Sequence, residues 1–191
     1  MPKMSSDAAA PCQRATLHGP TMGTRWSASV DCDAALDLDA LRQNLAAAVQ
    51  QVDAQMSPWK PESDLVRLNR APVDAWVDLP PEILEVLTCA MDIHRQSAGA
   101  FDPCVGALVD AWGFGAVRDA PDAAAIHTVR QAAPCPMREG LEIDPAAGRV
   151  RKRAPVQLDL CGIAKGYAVD RMAAVLQQHG VRHALAALDG E

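Results

Sequence analysis

Apolar and polar positions first alternate between Thr24 and Cys32, where Trp26, Ala28, Val30 and Cys32 are interleaved with Arg25, Ser27, Ser29 and Asp31. That period of two predicts a half-buried strand. From Leu38 the rhythm changes, and Leu38, Leu41, Leu45, Val49, Val52 and Met56 recur at steps of three and four. This predicts an amphipathic helix, capped by Asp37 or Asp39 and ended by Ser57-Pro58. Residues 57–79, rich in Pro, Asp and Asn, read as a loop that carries Trp59 and Trp76. Pro80-Pro81 opens a second helix with Ile83, Val86, Leu87, Ala90, Met91 and His94 along it, and Gly99 closes it in the left-handed conformation. A short helix is expected over Gly106–Trp112 and a mostly polar one over Pro121–Ala132. Leu141-Glu-Ile and Arg149-Val-Arg flank Asp144-Pro-Ala-Ala-Gly148 as a β-hairpin. Val156–Leu160 continues as strand, Ile163–His179 as a helix stopped by Gly180, and His183–Leu188 as an apolar strand before Asp189-Gly190-Glu191. Strands and helices without strict alternation predict an α+β fold, a mixed or antiparallel sheet flanked by helices. The polar, Ala-rich residues 1–19 are expected to be poorly ordered ahead of a domain over 20–191.

Composition narrows the function classes. The chain has 191 residues, 49% hydrophobic and 22% charged, with a formal charge of −6. That excludes a disordered tail, a coiled coil and a collagen-like rod. Nucleic-acid binding is not expected, because no basic face is evident. The densest basic stretch, Arg149, Arg151, Lys152 and Arg153, reads as the solvated part of a turn and strand. No run of about 18 apolar residues exists, so no membrane-spanning helix is predicted. Met1–Pro20 lacks the apolar core of a secretory signal, which as written points to the cytoplasm. The six cysteines contain no Cys-x-x-Cys pair, so they read as reduced, mostly buried small hydrophobes rather than a zinc site.

The sharpest candidate for chemistry is Leu158-Asp-Leu-Cys-Gly-Ile-Ala-Lys-Gly-Tyr-Ala-Val-Asp170, a buried strand that turns at glycine into a helix. Helix N-termini present unpaired N–H groups and partial positive charge, so this joint suits a phosphate or pyrophosphate, and Lys165 adds a full charge. It is neither a Walker loop nor a G-x-G-x-x-G fingerprint. Three further segments stand out: Gly99-Ala-Phe-Asp-Pro-Cys-Val-Gly106, with extended Asp102 beside an aromatic; the turn Thr21-Met-Gly-Thr24; and Met56-Ser-Pro-Trp-Lys-Pro-Glu-Ser-Asp-Leu65, leading to Asn69. Each also suits ordinary turn chemistry. There is no G-x-S-x-G elbow and no H-E-x-x-H helix, and the isolated histidines read as structural or solvated.

Taken together, with Trp112-Gly-Phe-Gly115 between them, these segments resemble in their order the ApbE family of FAD:protein FMN transferases, over residues 20–191. The resemblance implies an ApbE-like fold whose N-terminal and central parts are present and whose C-terminal part is lacking. It implies FAD as donor, Mg²⁺, FMN transfer to a threonine hydroxyl of a flavin-accepting redox protein, and release of AMP. Oligomeric state is left open, a dimer included. By matching positions, Met22, Trp59, Ala100, Phe101, Asp102, Asp159 and Lys165 would contact FAD, and Gly162 would offer its carbonyl to the metal. No residue matches a general base. The family's Mg²⁺-binding Asp and Thr side chains fall beyond Glu191, so a non-catalytic FAD-binding or truncated member is the alternative. Family members are usually lipoproteins outside the inner membrane, against the cytoplasmic reading of the leader. One departure lies inside the main motif: Cys161 stands where the family usually has glycine. A positive φ there would strain the cysteine.

Overall fold

The computed structural model describes residues 13–32, 35–116, 120–131 and 137–188. In chain order the elements are β1 (Gln13–Thr21), β2 (Thr24–Cys32), α1 (Leu38–Met56), α2 (Asp64–Arg70), β3 (Trp76–Asp78), α3 (Pro81–Gln96), α4 (Gly106–Ala111), α5 (Ala123–Gln131), α6 (Met137–Gly140), β4 (Leu141–Asp144), β5 (Arg149–Lys152), α7 (Cys161–Gln178) and β6 (Ala184–Leu188). The fold is α+β, with two antiparallel three-stranded sheets among helices. The chain divides into two compact units, residues 1–50 with 168–191 and residues 51–167, with boundaries inside α1 and α7.

In the first unit the sheet order is β1-β2-β6. The alternation read from the sequence is borne out: Trp26, Ala28, Val30 and Cys32 are buried on one face of β2. Thr21 and Thr24 pair across the two-residue turn Met22-Gly23, both with positive φ (45° and 70°). Positive φ at both central positions is the turn that matches strand twist, and Gly23 adopts it without cost while Met22 does not. β1 departs from the expected boundary, since residues 13–19 are strand rather than leader; residues 1–12 lie outside the described residues. Its pattern is weak because an edge strand buries little, and its Pro20 is tolerated there. Asp37 caps α1 by accepting from the Asp39 and Ala40 N–H groups at 3.1 and 2.9 Å. Leu41, Leu45 and Val49 of α1 and Met172 and Leu176 of α7 are buried, and the Asn44 amide meets His179 at 2.9 Å.

In the second unit β5 is central in the order β3-β5-β4. α3 begins at Pro81, and its buried stripe is Ile83, Leu84, Val86, Leu87, Ala90 and His94. Gln51 and Gln55 donate to Glu82 at 2.8 and 3.0 Å, joining the last turns of α1 to the first turn of α3. Residues 57–79 are not one loop. They contain α2, whose N-cap Ser63 accepts from the Val66 N–H at 3.1 Å and donates to the Ser57 carbonyl at 2.7 Å, and the three residues of β3. α2 escapes a periodicity test because it is short and buries only Leu65 and Leu68. The hairpin and the polar helix form as expected, and α5 buries nothing. α6 adds a turn that the pattern did not suggest. Val156–Leu160 is extended but joins no ladder, which corrects the strand expected there. Asp189–Glu191 lies outside the described residues. Among the described residues no helix is long and apolar enough to cross a membrane.

Candidate functional site

The joint between the extended segment and α7 is built by alternation. Leu158 and Leu160 are buried, so Gln157 and Asp159 face the other way. The Asp159 carboxylate turns back and accepts from the Cys161 N–H at 2.8 Å, capping α7. The Leu160 carbonyl accepts from Ile163 and Ala164 at 3.0 and 2.8 Å, so the helix starts at Cys161. Cys161 does not have positive φ. The cysteine therefore sits here without backbone strain.

The Gly99–Gly106 segment is held against this joint. Gly99 takes φ +85° after α3, and its N–H donates to the His94 carbonyl at 2.9 Å. The Phe101 N–H donates to Ser97 Oγ at 3.1 Å, and the Phe101 carbonyl lies 2.9 Å from His94 Nδ1. A carbonyl only accepts, so His94 carries its proton on Nδ1 in this arrangement. Asp102 Oδ1 accepts from the Cys104 N–H at 2.8 Å, and Oδ2 lies 3.4 Å from the Met137 N–H and 3.6 Å from His94 Nδ1. Two backbone bonds complete the seam: the Asp159 N–H donates to the Pro103 carbonyl at 2.8 Å, and the Gly106 N–H to the Gln157 carbonyl at 2.9 Å. The Phe101 ring then faces Gly162, where a Cβ would stand 3.4 Å from ring carbon Cε2.

The structure therefore brings together Phe101, Asp102, Asp159 and Gly162. Ala100 is exposed beside them, its N–H bonded to the Ser97 carbonyl at 3.1 Å. Lys165 lies one helical turn beyond Cys161, and its charge acts on that thiol against Asp159. Trp59, 56% exposed, sits on the loop between α1 and α2 and lines a cleft of about 620 Å³ that also reaches Asn69, Asp110, Lys152 and Asp159. Met22 belongs to the first unit, at the tip of the β1–β2 hairpin, and is half-buried. Burial first, then the adjacent Asp159 carboxylate, pushes the Cys161 thiol up to about 12. That thiol is not a nucleophile at neutral pH.

Three side chains support the site in ways that the sequence did not assign. Lys152 is not a solvated residue of a basic turn; β5 alternation puts it inward with Val150, 6% exposed, and burial lowers its pKa. Its Nζ donates to the Asn69 carbonyl at 2.6 Å. Asn69 holds the backbone of Leu158 through both amide atoms. His94, expected to be structural or solvated, is buried beneath the Phe101–Asp102 turn. The signal for Lys152 was its register with Val150; for Asn69 no local pattern exists. The four cysteines described, Cys32, Cys89, Cys104 and Cys161, are free thiols, but of these only Cys32 is buried; Cys104 and Cys161 are half-buried and Cys89 is exposed, which corrects the mostly buried reading.

A magnesium ion asks for about six oxygen ligands in near-octahedral geometry, usually with carboxylates among them. Among the described residues no group of three or more His, Cys, Asp or Glu side chains is arranged to hold a metal ion. Gly162 offers a backbone oxygen alone. These residues do not by themselves fit a magnesium site.

Comparison with known proteins places the chain in a family. The family model described as "ApbE family" matches residues 22–191. An FAD:protein FMN transferase of Klebsiella pneumoniae is 32% identical over 95% of this chain and 53% of its own length. One from Salmonella typhimurium is 33% identical over 91% of this chain and 51% of its own. The chain thus spans about half the length of the curated relatives it matches. Among solved structures, the flavin transferase ApbE from Vibrio cholerae superposes with a TM-score of 0.85 at 28% identity, covering 94% of this chain and 58% of that one. The apo flavinyl transferase ApbE of Pseudomonas stutzeri gives 0.83 at 28% identity, over 93% and 59%. The chain belongs to the ApbE family.

Proposed function

We propose that the chain binds FAD and serves the transfer of its FMN moiety to a threonine hydroxyl of a redox protein, with AMP as the leaving group. The observation that carries this is the seam joining Phe101–Asp102 to the Asp159–α7 joint, which sets an aromatic, two carboxylates and a helix N-terminus side by side. The names of the relatives supply the donor and the group transferred.

In this reading Trp59 stacks on one planar ring of FAD, and Ala100, Phe101 and Asp102 line the bound dinucleotide. Asp159 accepts a hydrogen bond from it. Lys165 and the α7 N-terminus offset negative charge on the pyrophosphate. In the transfer, the threonine oxygen forms a bond to the phosphorus of the FMN moiety. The bond from that phosphorus to the bridging oxygen breaks, AMP departs with that oxygen, and the hydroxyl proton is released. Positioning and charge neutralisation are what a protein contributes to such a reaction. Mg²⁺ would supply part of that neutralisation when bound, with the Gly162 carbonyl as one oxygen donor.

The test is the intact mass of a threonine-containing acceptor domain after incubation with the chain, FAD and Mg²⁺. A gain of one FMN moiety is expected, lost in Asp159→Ala and on adding a chelator. FAD held by the chain with no mass gain would reduce the proposal to flavin binding. No binding and no gain would reject it.

A further inference from the structure

We infer that Asn69 is a positioning residue for Asp159: by clamping Leu158 it fixes the register of the segment before α7, and with it the place of the Asp159 carboxylate at the cleft. The inference rests on the FAD-binding reading above.

Residues 157–160 enter α7 without a neighbouring strand, yet each backbone group needs a partner. Asn69, 89 positions earlier on α2, supplies two for Leu158. Its Nδ2 donates to the Leu158 carbonyl at 2.9 Å, and its Oδ1 accepts from the Leu158 N–H at 2.8 Å. One side chain thereby imitates a strand partner at a single residue, and both bonds require the amide in one orientation. The α2 end is held in turn: Lys152 Nζ donates to the Asn69 carbonyl at 2.6 Å, a last-turn carbonyl for which the helix has no acceptor duty. Lys152 is buried to do so.

The consequence follows from period-two geometry. A slip of one residue exchanges the faces of an extended segment. With Leu158 clamped, Leu158 and Leu160 are buried, while Asp159 is half-buried on the lining of the cleft that Trp59 also lines. The Pro103 and Gly106 bonds contact the neighbouring residues 159 and 157. Asn69 is the side chain that holds residue 158 itself, from a position on the lining of the same cleft.

FAD affinity is measured by flavin-fluorescence titration on the 191-residue chain for wild type, Asn69→Ala, Asp159→Asn and the double variant, each shown folded by circular dichroism. Asn69→Ala is expected to weaken binding about tenfold, the cost of about one buried hydrogen-bonded pair. In the Asp159→Asn background the same change has little further effect, because residues acting through one another are not additive. Asn69→Asp keeps the acceptor for the Leu158 N–H and loses the donor; it stands in if Asn69→Ala does not fold, with a smaller loss that again vanishes beside Asp159→Asn. Equal losses in both backgrounds, or unchanged affinity in folded variants, would overturn the inference while FAD binding stands. A wild-type chain that binds no FAD would overturn the reading and this inference together.

Discussion

A thiol at position 161 marks where an extended segment becomes a helix, and its protonation has a measurable consequence. Burial and the Asp159 carboxylate raise its pKa from 9.0 to about 12. The unfolded chain therefore releases this proton at lower pH than the folded one. Between those two values the folded state binds more protons, so stability falls as pH rises; below pH 9 the contribution is flat. Lys152 acts with the opposite sign. Burial lowers its pKa from 10.5, so the cost of holding the ammonium is present at lower pH and is relieved as pH rises through its folded value. A comparison of variants separates the two. In urea unfolding from pH 7 to pH 10.5, wild type and Cys161→Ser should run parallel up to about pH 9 and diverge above it, wild type losing stability faster. Curves parallel through the whole range would mean the thiol titrates normally.

Among elements, the decisive contact is the seam between the Gly99–Gly106 segment and the segment before α7. A Cβ on Gly106 would lie 2.8 Å from the Gln157 carbonyl oxygen and 3.0 Å from its carbon, both main-chain atoms that move only with the segment. At Gly162 the nearest atom is Phe101 Cε2 at 3.4 Å, an ordinary contact. Gly106→Ala should therefore cost about 1–3 kcal/mol of stability through overpacking, while Gly162→Ala, at an exposed first-turn helical position, should lie within about 0.5 kcal/mol of wild type. Chemical denaturation of both variants checks the contrast, and a tolerant Gly106→Ala would show that the seam yields. The same seam explains what was legible beforehand. Helices α1, α3 and α7 and strand β2 announce themselves because each buries a periodic stripe, as in Leu41, Leu45 and Val49. β1 and α2 do not, since an edge strand and a seven-residue helix leave no period to read; the 156–160 segment shows its alternation, but the partner of Leu158 is one asparagine and not a ladder.

For the molecule as a whole, the family and the cluster Phe101, Asp102, Asp159 and Gly162 were legible from motif order, whereas their mutual support was not. Asn69 meets Leu158 across 89 positions, and Lys152 reaches Asn69 across 83. Pairings at such separations come from tertiary packing, and no window of sequence contains them. What the assembled cluster shows is that its carboxylates are already answered. Asp102 accepts from the Cys104 and Met137 N–H groups, and Asp159 from the Cys161 N–H. Hydrogen bonds of this kind hold each carboxylate in place from the main chain. The described residues also gather no cluster of acids that a cation must neutralise before the fold can close. FAD binding and FMN transfer should then respond differently to metal removal. Titration of the chain with FAD in a chelator should change the affinity by less than about threefold, under about 0.7 kcal/mol, whereas transfer to an acceptor threonine should stop. A loss of FAD affinity of tenfold or more on chelation would mean that the cation, and not the hydrogen-bonded seam, organises the flavin site.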